Sequence, residues 1–348
     1  MRLVALRNVG VQAALASAVL FGASTPLAKI LLGDVSPFML AGLLYLGSGA
    51  GLGLYRLARR APRVRIHRRE WLPLAGAIAS GGIVAPVLLL VGLSAMPASG
   101  ASLLLNLEGV FTAVLAWVVF RENVDRRVLL GMIAIVAGAV VLSWDGSASF
   151  ADVWPSLAVI AACLAWGLDN NLTRKVALND ATWLAAAKGM VAGPVNLALA
   201  FALGASLPAM GVVFGAMAVG VISYGISLVL FIVALRHLGT ARAGAYFSIA
   251  PFVGAAIALG FGAPLTWQLG AAALLMGIGV WLHLTERHDH IHTHEPIEHS
   301  HWHTHEDGHH EHAHEPPVPV GTSHRHAHVH EAVTHSHPHY PDAHHQHH

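Results

Sequence analysis

Apolar residues dominate the chain from Val9 to Leu284, without the recurring polar face of a water-soluble helix. Glycine, proline and clustered charge break this stretch into ten segments, at about 10–32, 37–57, 71–93, 98–120, 127–144, 153–173, 182–203, 208–235, 241–261 and 266–285. A hydrocarbon layer roughly 30 Å thick takes about 20 helical residues to cross. The expected fold is therefore an all-α membrane protein with ten transmembrane helices. The start, MRLVALRNVGVQAALASAVLFGASTPLAKILL, has the basic head of a secretory signal, but its apolar run continues to Leu32, so it is expected to stay as the first helix.

Charge fixes an orientation. Arg2 and Arg7, the cluster YRLARRAPRVRIHRRE after the second segment, RENVDRR after the fourth, Arg174 and Lys175 after the sixth, and Arg236 and Arg242 after the eighth all fall on one side. The opposite connections, around Asp34, Met96, Asp145, Ser206 and Pro264, carry no Arg or Lys. Basic loops stay inside, so both ends are expected in the cytoplasm of a multi-pass protein of the cell (plasma or inner) membrane.

The chain also matches itself. LFGASTPLAK (Leu20 to Lys29) lines up with AWGLDNNLTR (Ala165 to Arg174), pairing Gly22 with Gly167 and Leu27 with Leu172. GLSAMPASGASLLLNLEGVF lines up with ALRHLGTARAGAYFSIAPFV in its small residues. Five crossings per half is an odd number, so the second half sits upside down relative to the first, an arrangement used by transporters. Three regions follow: 1–145 and 152–286 as two inverted five-helix repeats, and 287–348 as a tail.

On GASTPLAK, AWGLDNNLTRK and FRENVDRRVLLGMIAIVAGAVVL, the chain resembles the EamA domain of the drug/metabolite transporter superfamily, twice over, from Val11 to Trp144 and from Ser156 to Leu284. FGAPLTWQLGAAALLMGIGVWL keeps the glycine-spaced helix but has no acidic residue matching Glu122. The resemblance implies alternating-access transport of a small organic solute, with substrates that differ among members.

Ionised groups at bilayer depth cost about 2.5–3.5 kcal/mol, so the few present are candidates for function. Glu108 lies ten residues into the fourth segment, about 15 Å along it and near the midplane, with Asn106 and Gly109 beside it. It reads as a cavity carboxyl for a cationic solute or a coupled proton, or as an interhelical hydrogen bond. Lys188 and Asp169 sit at matched depth on adjacent antiparallel helices, where they can pair as a gate; the lysine alternatively recognises an anion or snorkels. Asp169, Asn170 and Asn171 form the densest polar knot, and Asn171 aligns with Pro26, suggesting that both halves weaken their first helix at one place. Ser24 and Trp166 flank this region; Tyr224, Tyr246, Asn196 and Gln12 are cavity polars or interhelical bonds. Gly47/Gly51, Gly49/Gly53 and Gly211/Gly215 have the spacing of close helix contacts, and Pro86, Pro194 and Pro251 offer bends.

The tail is a different material. Of the 26 histidines, 23 lie from His288 on, among Glu, Asp, Pro and Thr, so the tail alone is expected to be disordered. They come as His288, His290, His292 and His294; His299, His301, His303 and His305; His309, His310, His312 and His314; His324, His326, His328 and His330; His335, His337 and His339; and His344, His345, His347 and His348. Neutral imidazoles suit Zn²⁺, Ni²⁺, Co²⁺ and Cu²⁺, and alternate placement sets them on one side of an extended strand. The expected tail holds such metals weakly at many overlapping sites.

Cys163 is the single cysteine, which excludes a disulfide within the chain. No phosphate loop, catalytic triad or metalloprotease motif is present, so no enzyme activity and no required cofactor are expected, and the arginine cluster follows from topology, not nucleic acid. Expected partners are the bilayer, a small-molecule or metal substrate, and a second copy in a homodimer. Three readings remain: a secondary transporter of a small solute with a metal-binding tail, a transporter of the metal itself, and a membrane-tethered metal buffer or sensor.

Overall fold

A computed structural model describes residues 8–33, 35–120, 126–143, 150–284, 291–293, 297–303, 324–330 and 334–336. The helices, from Val9 to Leu284, form one compact unit, and the short strands of the tail lie in a second.

Among the described residues, eight helical stretches are long and apolar enough to cross a membrane, beginning with Val9–Leu31 and ending with Ala243–Gly260. Two shorter apolar helices, Leu129–Leu142 and Trp267–Leu282, occupy the places of the fifth and tenth expected crossings. Side chains such as Leu72, Leu265, Trp267 and Phe214 stand exposed on the outside of this unit, a surface that suits lipid and not water.

The first crossing is α1 (Val9–Gly22) and α2 (Ser24–Leu31), interrupted at Ala23. Pro26 has no N–H to offer the Gly22 carbonyl, four residues back, and this omission accounts for the interruption. The sixth segment was expected to weaken at the equivalent place, but α9 (Phe150–Arg174) is continuous. Asn171 supplies the reason: its amide bonds the Gly167 carbonyl of its own helix at 2.9 Å and the Thr112 carbonyl of the neighbour at 3.1 Å, so the polar group is satisfied without opening the backbone.

The second crossing is α3 (Pro37–Ala58), started by Ser36 as an N-cap with Pro37 in the first turn. The third runs through α4 (Trp71–Ala77), a π segment (Ile78–Val84) and α5 (Ala85–Ser94). The fourth is α6 (Ala98–Leu104) and α7 (Asn106–Phe120), followed by α8 (Arg126–Ser143). After α9 come α10 (Ala181–Ala202) and α11 (Met210–Val219), then a second π segment (Gly220–Ile226). The helical stretch α12 (Ser227–Phe247) reverses within itself: the Phe231 and Phe247 rings are 4.8 Å apart, whereas a straight helix would separate them by about 24 Å. It leads into α13 (Ala250–Gly260), and α14 (Trp267–Leu284) ends the unit. Pro86, Pro194 and Pro251 all lie inside crossings: Pro86 directly follows the π segment, Pro251 follows the break at Ser248–Ile249, and Pro194 sits within the unbroken α10.

Glycine spacing misleads in part. A side chain at Gly47 would strike the Met217 backbone, one at Gly49 the Met190 backbone, and one at Gly51 Val221, so these glycines allow α3 to pack closely. Gly53, Gly211 and Gly215 face open space and make no such contact.

One end of the unit is tied together by polar groups. Arg56 pairs with Asp180 at 2.6 Å, Asn179 donates to Glu70 at 2.9 Å, and Arg236 donates to the carbonyls of Ala177 and Asn179. At the other ends of the first and third crossings, Lys29 donates to the Leu93 carbonyl at 2.7 Å. Partial burial works to raise the Asp180 carboxyl, but Arg56 and the amides of Trp183 and Thr182 outweigh it and hold it below the ordinary carboxylate range. A depressed carboxyl contributes stability above its unfolded value of about 3.9 and loses it as pH falls through the folded value. Arg56→Ala is therefore expected to cost about 0–1 kcal/mol at neutral pH, and the difference in thermal midpoint should shrink as pH falls below the ordinary carboxylate value of about 3.9.

The described tail segments form two antiparallel strand pairs. Ile291–Thr293 pairs antiparallel with Thr334–Ser336, and Ile297–His303 with His324–His330. The register sets His299 opposite His328, His301 opposite His326, His303 opposite His324, and His292 opposite His335. Alternation with period two makes this possible, since it places like residues on one face of each strand.

Candidate functional site

Two narrow chambers meet inside the helical unit. One, of about 60 Å³, is lined by Ser17, Tyr45, Asp169, Lys188, Ser223 and Tyr224 among others; the second, of about 20 Å³, by Leu105, Gly109, Thr112, Ser248 and Pro251. Phe21, Glu108, Asn170, Phe231 and Phe247 belong to both, so Glu108 lies at their junction. Residues from both halves of the helical chain converge here, from α1, α3 and α7 in the first and from α9, α10, the second π segment, α12 and α13 in the second.

The polar contacts form two separate sets. In the first, Lys188 Nζ donates to Asp169 Oδ1 at 2.5 Å and to Thr173 Oγ1 at 2.8 Å, and Thr173 donates to the same carboxylate oxygen at 2.7 Å. Lys188 is 2% exposed, so this ion pair is held away from water by its geometry and its extra hydroxyl. Gly81 approaches Asp169 so closely that no side chain fits between them. In the second set, Asn170 donates to Glu108 Oε1 at 2.8 Å and to Thr112 Oγ1 at 3.2 Å.

The π segment of the third crossing feeds the site. A π turn leaves carbonyls without their usual helical partner. Here Tyr45 Oη and Trp166 Nε1 both donate to the Gly81 carbonyl, at 2.6 and 3.1 Å, and Asn196 donates to Gly82 at 3.1 Å. Side chains from α3, α9 and α10 thus hold one widened turn in place.

Aromatic rings close the cavity. Phe21 meets Trp166 and Tyr224 edge-on, with centroids 5.8 Å apart in each case, and Phe247 at 5.4 Å; Tyr45 and Tyr224 lie 5.3 Å apart. The Tyr224 hydroxyl is fully buried and approaches Ser24, yet neither hydroxyl makes a hydrogen bond of ordinary geometry.

Of the residues singled out by sequence, Glu108, Asp169, Asn170 and Lys188 line the cavity, and Trp166 and Tyr224 join them. Asn171 turns away into the contact between α9 and α7. Asn106 donates to the Leu103 carbonyl and to Met276 Sδ, outside the lining. Tyr246 packs with Val11, Phe231 and Leu235 between α1 and α12, and Ser24 lies behind Tyr224. Sequence reading passed over Tyr45, Thr112, Thr173 and the phenylalanines; in a uniformly apolar run nothing distinguishes a cavity ring from a packing ring. In the tail, His292, His299, His301, His303, His324, His326, His328, His330 and His335 lie on the paired strands, and the other fourteen histidines from His288 on lie outside the described residues. Among the described residues, the cavity lining has carboxylate, ammonium, amide and hydroxyl groups but no imidazole or thiol.

Comparison with known proteins agrees with a transport unit. Residues 8–144 match the model of the EamA-like transporter family. An uncharacterized transporter of Methanothermobacter thermautotrophicus (strain Delta H) is 30% identical over 284 residues, covering 76% of this chain and 82% of the relative. One crystal structure, at 22% identity, superposes with a TM-score of 0.62 over 78% of this chain and 95% of its own, which speaks to the fold alone. With a relative this similar along most of its length and a helical unit that encloses a charged cavity, the chain belongs to the EamA-like transporter family and is a multi-pass membrane transporter of small solutes.

Proposed function

We propose that the chain is a secondary transporter of the cell membrane, moving one small solute by alternating access between two inverted five-helix modules, with both ends in the cytoplasm. The observation that carries this reading is the central cavity, where Glu108 of the first half meets Asp169, Asn170, Lys188 and Tyr224 of the second. A site built at the junction of two modules opens to either side as they rock. The two-module arrangement has support in paired contacts. Gly22 sits against Val253 and its sequence counterpart Gly167 against Phe111, while Phe111 and Val253 are counterparts in the second internal match. The third and eighth crossings each carry a seven-residue π segment. The cytoplasmic assignment rests on the arginines gathered at one end.

The tail binds Zn²⁺, Ni²⁺, Co²⁺ or Cu²⁺ and supplies a cytoplasmic reservoir that responds to metal. Its support is the register: histidines paired across antiparallel strands have Cα atoms about 5 Å apart, a separation two ligands of one ion can bridge. The cavity's lack of imidazole and thiol favours an organic solute over a transition metal as cargo.

The test compares cells expressing the full chain, a chain ending at Arg287, and Glu108→Gln, matched for membrane level. Small solutes in medium and cytosol are profiled, with cellular nickel, zinc and cobalt. The full and shortened chains should redistribute the same solute, Glu108→Gln should not, and only the full chain should retain extra metal. Redistribution of no solute by either active form would remove the transport mechanism. Metal export or uptake that survives loss of the tail would make the ion the cargo.

A further inference from the structure

We infer that the solute of the central cavity is a compact organic monocation, an ammonium group on an apolar or aromatic body, with Glu108 as its counter-ion. This rests on the transport reading above and narrows its substrate class. Charge balance is the first argument. The lining holds two carboxylates and one ammonium, and the ammonium of Lys188 is committed to Asp169 and Thr173. Among the described residues Glu108 receives the neutral amide of Asn170 and no cation, so in its ionised form it leaves the cavity with one uncompensated negative charge. A buried carboxylate without a countercharge is costly, and a positively charged guest removes the deficit. The second half offers no further acid: Glu108 corresponds to Ala250 in the internal match, which sets the complement at one positive charge.

The surroundings select the kind of cation. Phe21, Trp166, Tyr224, Phe231 and Phe247 line the chambers that Glu108 joins, and aromatic faces attract a desolvated cation. A bare inorganic ion would need a shell of oxygen ligands that this largely carbon-lined wall does not provide. An ammonium head has N–H groups to donate to the Glu108 carboxylate beside the Asn170 amide already bound there. An anion would meet Glu108 and find Lys188 already engaged. The chambers, about 60 and 20 Å³ in this state, hold a small guest, with the rings moving apart to admit it.

The experiment uses purified full-length protein in detergent and three probes of one shape: benzylammonium, benzyl alcohol and benzoate. Equilibrium binding is measured by titration calorimetry, with Phe21→Leu and Glu108→Gln as variants. Benzylammonium should bind at least tenfold more tightly than the other two, lose at least tenfold in Glu108→Gln, and lose about threefold in Phe21→Leu. Equal binding of the alcohol or the acid overturns the cation assignment and leaves a solute cavity standing. Unchanged amine binding in a folded Glu108→Gln protein overturns the role of Glu108, and if that variant fails to fold, the contrast among the three probes decides on the native chain alone. Failure of all three probes to bind also rejects the cation, while the redistribution of solutes in cells judges transport separately.

Discussion

Lys188→Met should destabilise the protein by about 3–5 kcal/mol, the range for removing one partner of a buried ion pair. The substitution is close in length and leaves the packing of α10 against α3 nearly intact. It strips the countercharge from an Asp169 carboxylate that is 6% exposed and whose remaining donor is Thr173. The cost therefore comes from a stranded charge and not from a void. Adding Asp169→Leu to Lys188→Met should restore most of the loss, because the group that suffered is gone. Unfolding of the purified full chain in detergent gives both numbers. A single-variant cost below about 1 kcal/mol, or a double variant no better than the single one, would show that the pair is not ionised as drawn.

Gly189→Leu is the second large effect. The position lies where α10 crosses α3, and a side chain there would meet the Gly49 and Tyr45 backbones, with the Gly49 Cα only 2.6 Å from the new Cβ. Backbone does not yield as a side-chain tip does, so the cost should reach about 3 kcal/mol, the upper part of the range for overpacking. Gly211→Leu is the matched control: it also belongs to a small-xxx-small pair, but open space surrounds it, and its thermal midpoint should stay within experimental scatter of the parent. Equal effects of the two substitutions would contradict the crossing.

This contrast marks the boundary of what sequence alone conveys. Spacing of glycines shows where helices can approach, not which ones do, because the partner helix is absent from the pattern; Gly49 and Gly211 read alike and pack differently. The Lys188–Asp169 pair was legible because opposite charges at matched depth in lipid have few alternatives to each other. Glu108 was legible as a buried acid in an apolar run, but its partner Asn170 was not separable from Asn171, one residue on. Their fates diverge because 100° of helix rotation sends one amide into the cavity and the other into the contact with Thr112. The π segments left no trace, since Ile78–Val84 and Gly220–Ile226, apart from Tyr224, are made of the same glycines, serines and aliphatic residues as ordinary turns nearby. The tail's histidines were plain in composition, whereas their cross-strand partners depend on a pairing set only when the strands meet.

The shared acceptor at Gly81 gives the protein an optical reporter of its own. Trp166 donates its indole N–H to that carbonyl across from α9 to the third crossing, and its ring borders the cavity. Indole emission responds to the loss or gain of such a bond, so a chain in which Trp166 is the sole remaining tryptophan would signal, without any attached dye, each parting of those two helices. Its colour would then time any movement of those two helices while the protein works.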